Sequence, residues 1–441
     1  MMAQATDPDA RRSAPASAAG HAPVMTERRV ALIGGLMVAI GPISMALYTP
    51  AMTEIMRAFG TTEAAVKMTL TLYFGGFACA QLIAGPLSDA LGRRPVTFAF
   101  LGVYCLASLA ALAAPSVEAL MVARFLQGIG ASAGVAISRA IVRDLFTGER
   151  SSRIMNLIGI ILALGPALAP TIGGLLLIAA GWRSIFVAMA AFGAVAVTVT
   201  GLAMRETAPA DRARLRFAAL WASYRELLGS RHFLACSGVV AGSIGALYAQ
   251  ATFLPFILMQ RVGLSPAEFG LSMLFQSGSF FAGSLLVRAL MRRVSAYGLV
   301  APGLGLIALG SLGVLTLLVR PPTLLHVMLP VAVYAAGIAF VMPAMTTAAL
   351  APFPRIAGAA AALMGFLQMG AGLVMGSLGA LMGDPLLAMG TLIPLMGAFA
   401  CLAYADHRRH PQRAGPEPRG DAIAGLPVGR TLLPEEPPDP R

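Results

Sequence analysis

The chain has 441 residues, 57% hydrophobic and only 12% charged, at a mean hydropathy of +0.77; soluble domains carry about 25% charged residues, so a water-soluble globular fold is excluded. Its formal net charge is +12, but the basic residues lie in connectors between apolar runs and not on one solvated element, which argues against a nucleic-acid partner.

Residues 1–28 are rich in Ala, Pro and Ser and carry Arg11 and Arg12, the composition of a disordered tail. The apolar run after Arg29 is too long for a signal-peptide core and is taken as an uncleaved first span. Crossing a hydrocarbon core of about 30 Å takes roughly 20 apolar residues in a helix. Spans are expected over 30–49, 64–84, 96–114, 117–139, 153–178 and 184–203, then 233–257, 267–287, 298–318, 325–349, 356–382 and 386–404. The fold class is therefore an all-α membrane protein of twelve transmembrane helices. A polar linker, residues 205–232, divides them into two six-helix bundles, 29–204 and 233–405, and its stretch "FAALWASYRELL" suits an amphipathic helix on an anionic leaflet. Residues 406–441 are too rich in Pro, Arg and acid to pack and are expected to be disordered. Glycine-rich fifth and eleventh spans, and the basic pair Arg292-Arg293 echoing Arg93-Arg94, mark an eroded repeat, as expected for pseudo-symmetric halves.

Alternate connectors are arginine-rich. One set holds Arg93, Arg94, Arg139, Arg143, Arg150, Arg153, Arg205, Arg212, Arg288, Arg292, Arg293 and Arg355; the other holds Arg57, Arg183, Arg261 and Arg320, with Lys67 near its edge. The positive-inside rule makes the first set, and both termini, cytoplasmic. Cys79, Cys105, Cys236 and Cys401 all fall inside apolar runs at spacings that suggest neither a metal site nor a disulfide. No metal and no cofactor is expected.

Three motifs stand out in these spans. "GPLSDALGRRP" follows the second, with Gly85, Asp89, Gly92, Arg93 and Arg94; "RFLQGIGASAG" occupies the fourth, with Arg124 and Gln127; "LGPALAPTIGG" lies in the fifth, with Gly165, Pro166, Pro170, Gly173 and Gly174. An arginine at membrane depth costs about 2.5–3.5 kcal/mol on insertion scales, so Arg124 should face a wet cavity or a partner unless it snorkels outward. Pro166 and Pro170 remove backbone donors while the glycines admit a neighbouring helix, a combination suited to a hinge or seal, or simply to close packing. "GIGASAG" has no preceding strand and sits within a span, which speaks for helix packing over a nucleotide loop.

These motifs resemble the major facilitator superfamily over residues 30–405, and most closely its drug:proton antiporters of the bicyclomycin and chloramphenicol resistance type. The resemblance implies a monomeric multidrug exporter in the bacterial inner membrane, among lipids, moving a small-molecule substrate against protons by alternating access. Two departures bear on that. Where the family commonly carries an intramembrane aspartate before the tyrosine-proline stretch, this chain has Met45, Ala46 and Leu47 ahead of Tyr48 and Pro50; Lys67, the only lysine, stands where relatives usually have a neutral residue. Coupling would then fall to Glu54 or Glu118 at the cavity mouth, to a proton carried by the substrate, or to no proton.

Lys67, Thr71 and Phe74 share a helical face. With Arg124, Lys67 could favour an anionic substrate; the competing role is snorkelling to the headgroups. Sparse polar and aromatic residues within spans complete the candidate substrate wall: Tyr48, Tyr248, Gln250, Gln276, Tyr334 and Gln368, beside Gln127. Asp89 is expected to latch onto Arg139, Arg143 or a helix N-terminus of the other half, favouring an outward-open state. A carrier for a small anionic metabolite is the second reading. A membrane enzyme is set aside, because no nucleophile, base or metal-ligand constellation is evident and the five histidines lie in tails or at span ends.

Overall fold

The computed structural model describes residues 24–208, 210, 211 and 217–410, without the side chains of 152, 160, 162–164, 166 and 217. The first bundle comprises α1 (Glu27–Tyr48), which continues through a 3-10 turn into the short α2 (Met52–Phe59), then α3 (Glu63–Leu91), α4 (Arg93–Leu112), α5 (Val117–Leu145), α6 (Gly148–Ala180) and α7 (Arg183–Ala203). After the linker helix α8 (Phe217–Gly229), the second bundle comprises α9 (Arg231–Pro255), α10 (Pro266–Leu290), α11 (Val300–Leu315), α12 (Leu324–Leu350), α13 (Ala357–Leu381) and α14 (Pro385–Arg409). Among the described residues, eleven helices are long and apolar enough to span a membrane; α6 includes undescribed side chains and contributes the apolar stretch Ala167–Ala180.

The helices start where side chains can satisfy their first free N–H groups. Thr62, Ser116 and Asp384 accept from backbone amides at the starts of α3, α5 and α14, and Ser265 and Glu268 form a reciprocal capping box on α10. These four starts lie at one end, here the far end, opposite the end where α1 and α9 begin. Each bundle has its own core: Tyr48, Phe74, Trp182 and Phe186 are central in the first, and Phe253, Tyr334, Ile338 and Met389 in the second.

Three boundaries differ from expectation. The supposed loop 85–95 is almost wholly helical, and the turn is Gly92 alone, at φ 98°. Gly85 lies inside α3 with open space where a Cβ would project, so neither a turn nor a close approach requires glycine there. α14 runs beyond 405 to Arg409, because Asp406 pairs with Arg231 of α9 and His407 is buried against it. Otherwise the two expected disordered tails lie outside the described residues, apart from 24–28 and 406–410.

Helix α8 does more than lie on a surface. Tyr224 and Leu227 are buried against Phe233, Leu363 and Met364 of the second bundle, and the Tyr224 hydroxyl donates to the Leu82 carbonyl of α3, 2.6 Å away, in the first. Burial pushes the Tyr224 phenol up to about 12, so it stays a protonated donor at physiological pH.

Candidate functional site

Between the bundles lies a cavity of about 510 Å³. Its wall combines Met45, Ala46 and Thr49 of the first span with Pro170 of α6, Gln250 of α9 and a run of α10 that includes Phe269, Met273, Gln276 and Phe280. None of its described lining residues is charged. Gln250 donates to Gln276 at 2.9 Å, so the two amides form one polar spot in a mostly apolar wall whose other polar side chains are the hydroxyls of Thr49 and Ser277. Ala46, in the stretch expected to lack the aspartate, is itself part of the lining.

The bundles close on each other at the far end. Gly174 of α6 meets the Pro266 carbonyl of α10, where an added Cβ would stand 2.2 Å from oxygen, and Thr171 donates to the Gly270 carbonyl at 3.0 Å. Thr53 lies 3.9 Å from Met259 Sδ across the same seam. Gly173 instead meets the Leu47 carbonyl within the first bundle, and Gly165 meets Ile43; the Pro166 side chain lies outside the described residues.

Arg124 is fully buried in the first bundle, away from the cavity lining. Its guanidinium sits over the rings of Tyr48 and Tyr73, 4.3 and 4.4 Å from their centroids, and donates to Gln127. Gln127 in turn donates to Ser108 at 2.7 Å, while Tyr48 is bonded to Thr69 at 2.6 Å and Tyr73 to the Gly41 carbonyl at 2.8 Å. The chain reaches this arrangement through glycine: at Gly128 a Cβ would lie 2.1 Å from the Tyr73 carbonyl, so α3 and α5 cross almost backbone to backbone. Among the described residues no carboxylate forms an ion pair with Arg124; aromatic faces, which attract cations, take that place. Arg124 thus ties α1, α3 and α4 behind the cavity wall. Its Nε and Nη2 have no hydrogen-bond partner among the described residues.

Lys67 does not snorkel. It is buried, pairs with Glu63 at 3.2 Å and reaches the Gly383 carbonyl of the second bundle at 3.4 Å, with Phe256 beside it. Its face-mates point the same way: Thr71 packs on Gly376, and Phe74 stacks near Tyr248 at 5.4 Å. That face is the seam between bundles, so Lys67 belongs to the far-end closure and not to the cavity lining. A hydrogen bond of this kind contributes about 1 kcal/mol. Lys67→Met should accordingly raise the far-end-open population roughly fivefold. Spin labels on cysteines placed at Arg57 and Val262, in a background lacking the native cysteines, should gain a longer-distance component; an unchanged distribution would remove Lys67 from the closure.

The expected Asp89 latch to Arg139, Arg143 or the other half is not formed. Asp89 pairs with Arg93, one turn on across Gly92, and Arg93 Nε also reaches Asp144 at the end of α5, at 3.1 Å. That latch was expected of an outward-open form, and the bundles are closed at the far end here; across the one-residue turn Arg93 is the partner that Asp89 has in this form. Glu206, just after α7, accepts from the backbone N–H of Arg93 and Arg94 at 2.8 and 3.0 Å, an anion on a helix N-terminus. The cluster is internal to the first bundle. Arg139 and Arg143 form no ion pair among the described residues.

Of the remaining candidates, Gln250 and Gln276 line the cavity. Tyr334 is buried within the second bundle, its hydroxyl 3.4 Å from the Gly242 carbonyl, and Gln368 is half-buried on α13. Glu54 accepts from the Trp182 amide at 3.3 Å and so caps α7, while Glu118 sits exposed in the first turn of α5; neither lines the cavity. Of the α10 wall the sequence offered only Gln276, since its apolar residues look like any lipid-facing helix, and it did not offer Glu206, whose position directly after an apolar run was the available signal.

Comparison with known proteins follows this geometry closely. The Major Facilitator Superfamily matches over residues 34–380. The chain is 32% identical over 394 residues to Multidrug resistance protein D of Escherichia coli (strain K12), covering 84% of this chain and 93% of that one. It is 30% identical over 397 residues to the uncharacterized MFS-type transporter YdgK of Bacillus subtilis (strain 168), covering 87% and 96%. Among solved structures, a bacterial homolog of the human lysosomal transporter Spinster, inward-facing and unoccupied, superposes with a TM-score of 0.65 at 17% identity over 86% of this chain and 96% of that one. A D-xylose-proton symporter gives 0.64 at 15% identity over 85% and 97%.

Proposed function

Since the chain belongs to the Major Facilitator Superfamily and is a multi-pass membrane transporter, not an enzyme, we propose that it exports lipophilic or amphiphilic compounds from the cytoplasm across the bacterial inner membrane. The observation that carries this reading is the uncharged cavity wall between the bundles. A mostly apolar surface with one amide pair and two hydroxyls rewards compounds that shed water easily and imposes little geometric demand, the pattern of a broad-specificity pocket. Names of relatives agree: several are multidrug resistance proteins. Lys67 and Arg124, which motivated an anionic substrate, are both engaged elsewhere, so the anion-carrier reading loses its support.

With both described ends of the chain in the cytoplasm, as the arginine distribution suggests, the far-end closure makes this the form shut toward the outside. Rocking of the bundles would open the Gly174–Pro266 and Lys67–Gly383 seams in turn. As for energy coupling, no described lining residue is titratable, so protons are expected to drive transport through a substrate that carries one. In proteoliposomes, flux of a weakly basic amphiphile should respond to an imposed pH gradient, whereas flux of a permanently neutral lipophile should not. Gradient-driven accumulation of the neutral compound would show that the protein itself carries the proton. Preferred transport of small anions over both would overturn the proposed substrate class.

A further inference from the structure

At the near end of the second bundle, three side chains that the transport reading does not use come together. His232 and Cys236 are one turn apart on α9, and α14 brings His407 against them, so that one ligand atom of each lies within 4.8 Å of the others. Cys236 Sγ is 3.4 Å from His407 Nδ1 and 3.8 Å from His232 Nε2. A tetrahedral zinc ion, with bonds of about 2.3 Å to sulfur and about 2.0–2.1 Å to nitrogen, holds such atoms about 3.6 Å apart. The two observed separations bracket that value.

Hydrogen bonding alone accounts poorly for the cluster. One thiol proton can serve only one of the two imidazoles, and His232 Nδ1 is buried with no partner. At His407 the outer contact instead resembles one that orients a metal-bound histidine. The Tyr297 hydroxyl bonds His407 Nε2, which leaves Nδ1 as the atom turned toward Cys236. His232 Nε2 now faces the Ala348 carbonyl at 2.9 Å, a contact that coordination would replace. Cys236 is fully buried and His407 nearly so, while the exposed Arg231–Asp406 pair beside them offers an approach from water.

We propose that His232, Cys236 and His407 form a binding site for Zn²⁺, with water in the fourth position. The donor set of one sulfur and two imidazole nitrogens suits this borderline-soft ion and not Mg²⁺ or Ca²⁺, which take oxygen. On binding, the Cys236 thiol gives its proton to solvent and the two imidazoles bind as neutral ligands. The ion then clamps the first and last helices of the second bundle directly beneath the buried residues Tyr224 and Leu227 of α8, which share a cluster with Cys236. It stabilises that end of the molecule without touching the cavity.

Cobalt(II) serves as the probe, since thiolate ligation to it gives a sulfur-to-metal charge-transfer absorption. Full-length, tag-free protein in detergent, stripped with a chelator, should take up about one Co²⁺ per chain with that absorption, release it to Zn²⁺, and melt at higher temperature with Zn²⁺. Cys236→Ser should lose both the absorption and the Zn²⁺-dependent shift. Tyr297→Phe should keep the absorption but bind roughly 10–100-fold more weakly, and His326→Gln, at the opposite end of the bundle, should behave as wild type. Absence of the charge-transfer absorption from the wild-type protein would overturn the proposal whatever the variants do, and so would equal Zn²⁺ stabilisation of wild type and Cys236→Ser.

Discussion

Arg124→Lys is expected to fail almost as completely as Arg124→Ala, with export of a lipophilic substrate falling at least a hundredfold in either variant. The guanidinium is a flat cation held between two aromatic faces and bonded to Gln127. Each desolvated cation–aromatic contact contributes about 2 kcal/mol, and loss of about 3 kcal/mol corresponds to roughly a hundredfold in an equilibrium. Lysine keeps the charge but presents a point cation with three divergent donors, which cannot stack on Tyr48 and Tyr73 and bond Gln127 at once. Arg124 acts as a positioning residue: Tyr48 lies next to Thr49 in the chain, and Thr49 lines the cavity. Export assays on membrane vesicles, normalised to protein that is folded by size-exclusion profile, check this. Substantial export by Arg124→Lys would show that charge alone suffices and would discard the stacking account.

Gly128→Ala should lower the melting temperature and export together, although it adds only one methyl group. The new Cβ would lie 2.1 Å from the Tyr73 carbonyl and 2.9 Å from the Phe77 amide, backbone atoms that cannot turn aside. Overpacking of this kind costs about 1–3 kcal/mol and sometimes more. Parting α3 from α5 also carries Tyr73 away from Arg124. Gly85→Ala is the matched control in α3, because nothing lies within 4 Å of its added carbon; removing a helical glycine there should stabilise by about 0.5–1 kcal/mol. Equal melting temperatures for the two variants would refute the crossing as a tight constraint.

The bundles were legible in the sequence because membrane helices announce themselves by length and apolarity, and the caps at Thr62, Ser116 and Ser265 stand where the apolar runs begin. Arg124 was also visible, since a charge at that depth is costly. Of its partners, Gln127 was visible one turn on and Tyr48 stood among the candidates, but that Tyr48 and Tyr73 would bring their rings to the guanidinium was not, because tyrosines on other helices give no signal of that contact. Lys67 failed in the opposite way. Its helical face was correctly read from Thr71 and Phe74, but only assembly of the two bundles shows that this face is a seam. Asp89 was read as a latch of the outward-open form, which a structure closed at the far end does not display; its partner here, Arg93, escaped notice because the turn was assumed to be a loop and is a single glycine. His232 looked like a span-end residue and His407 like part of the tail, because 171 positions separate Cys236 from His407 in the chain, a proximity that periodicity cannot express.

The linker helix offers something practical. The protein has two tryptophans. Trp182 is buried in the first bundle at 4% exposure, whereas Trp221 stands 67% exposed on α8, one turn before the tyrosine that reaches across to Leu82. An aqueous quencher therefore sees one indole and not the other. The wild-type chain carries a built-in optical gauge on the segment that joins its halves, and movement of that segment during turnover is open to measurement without a label.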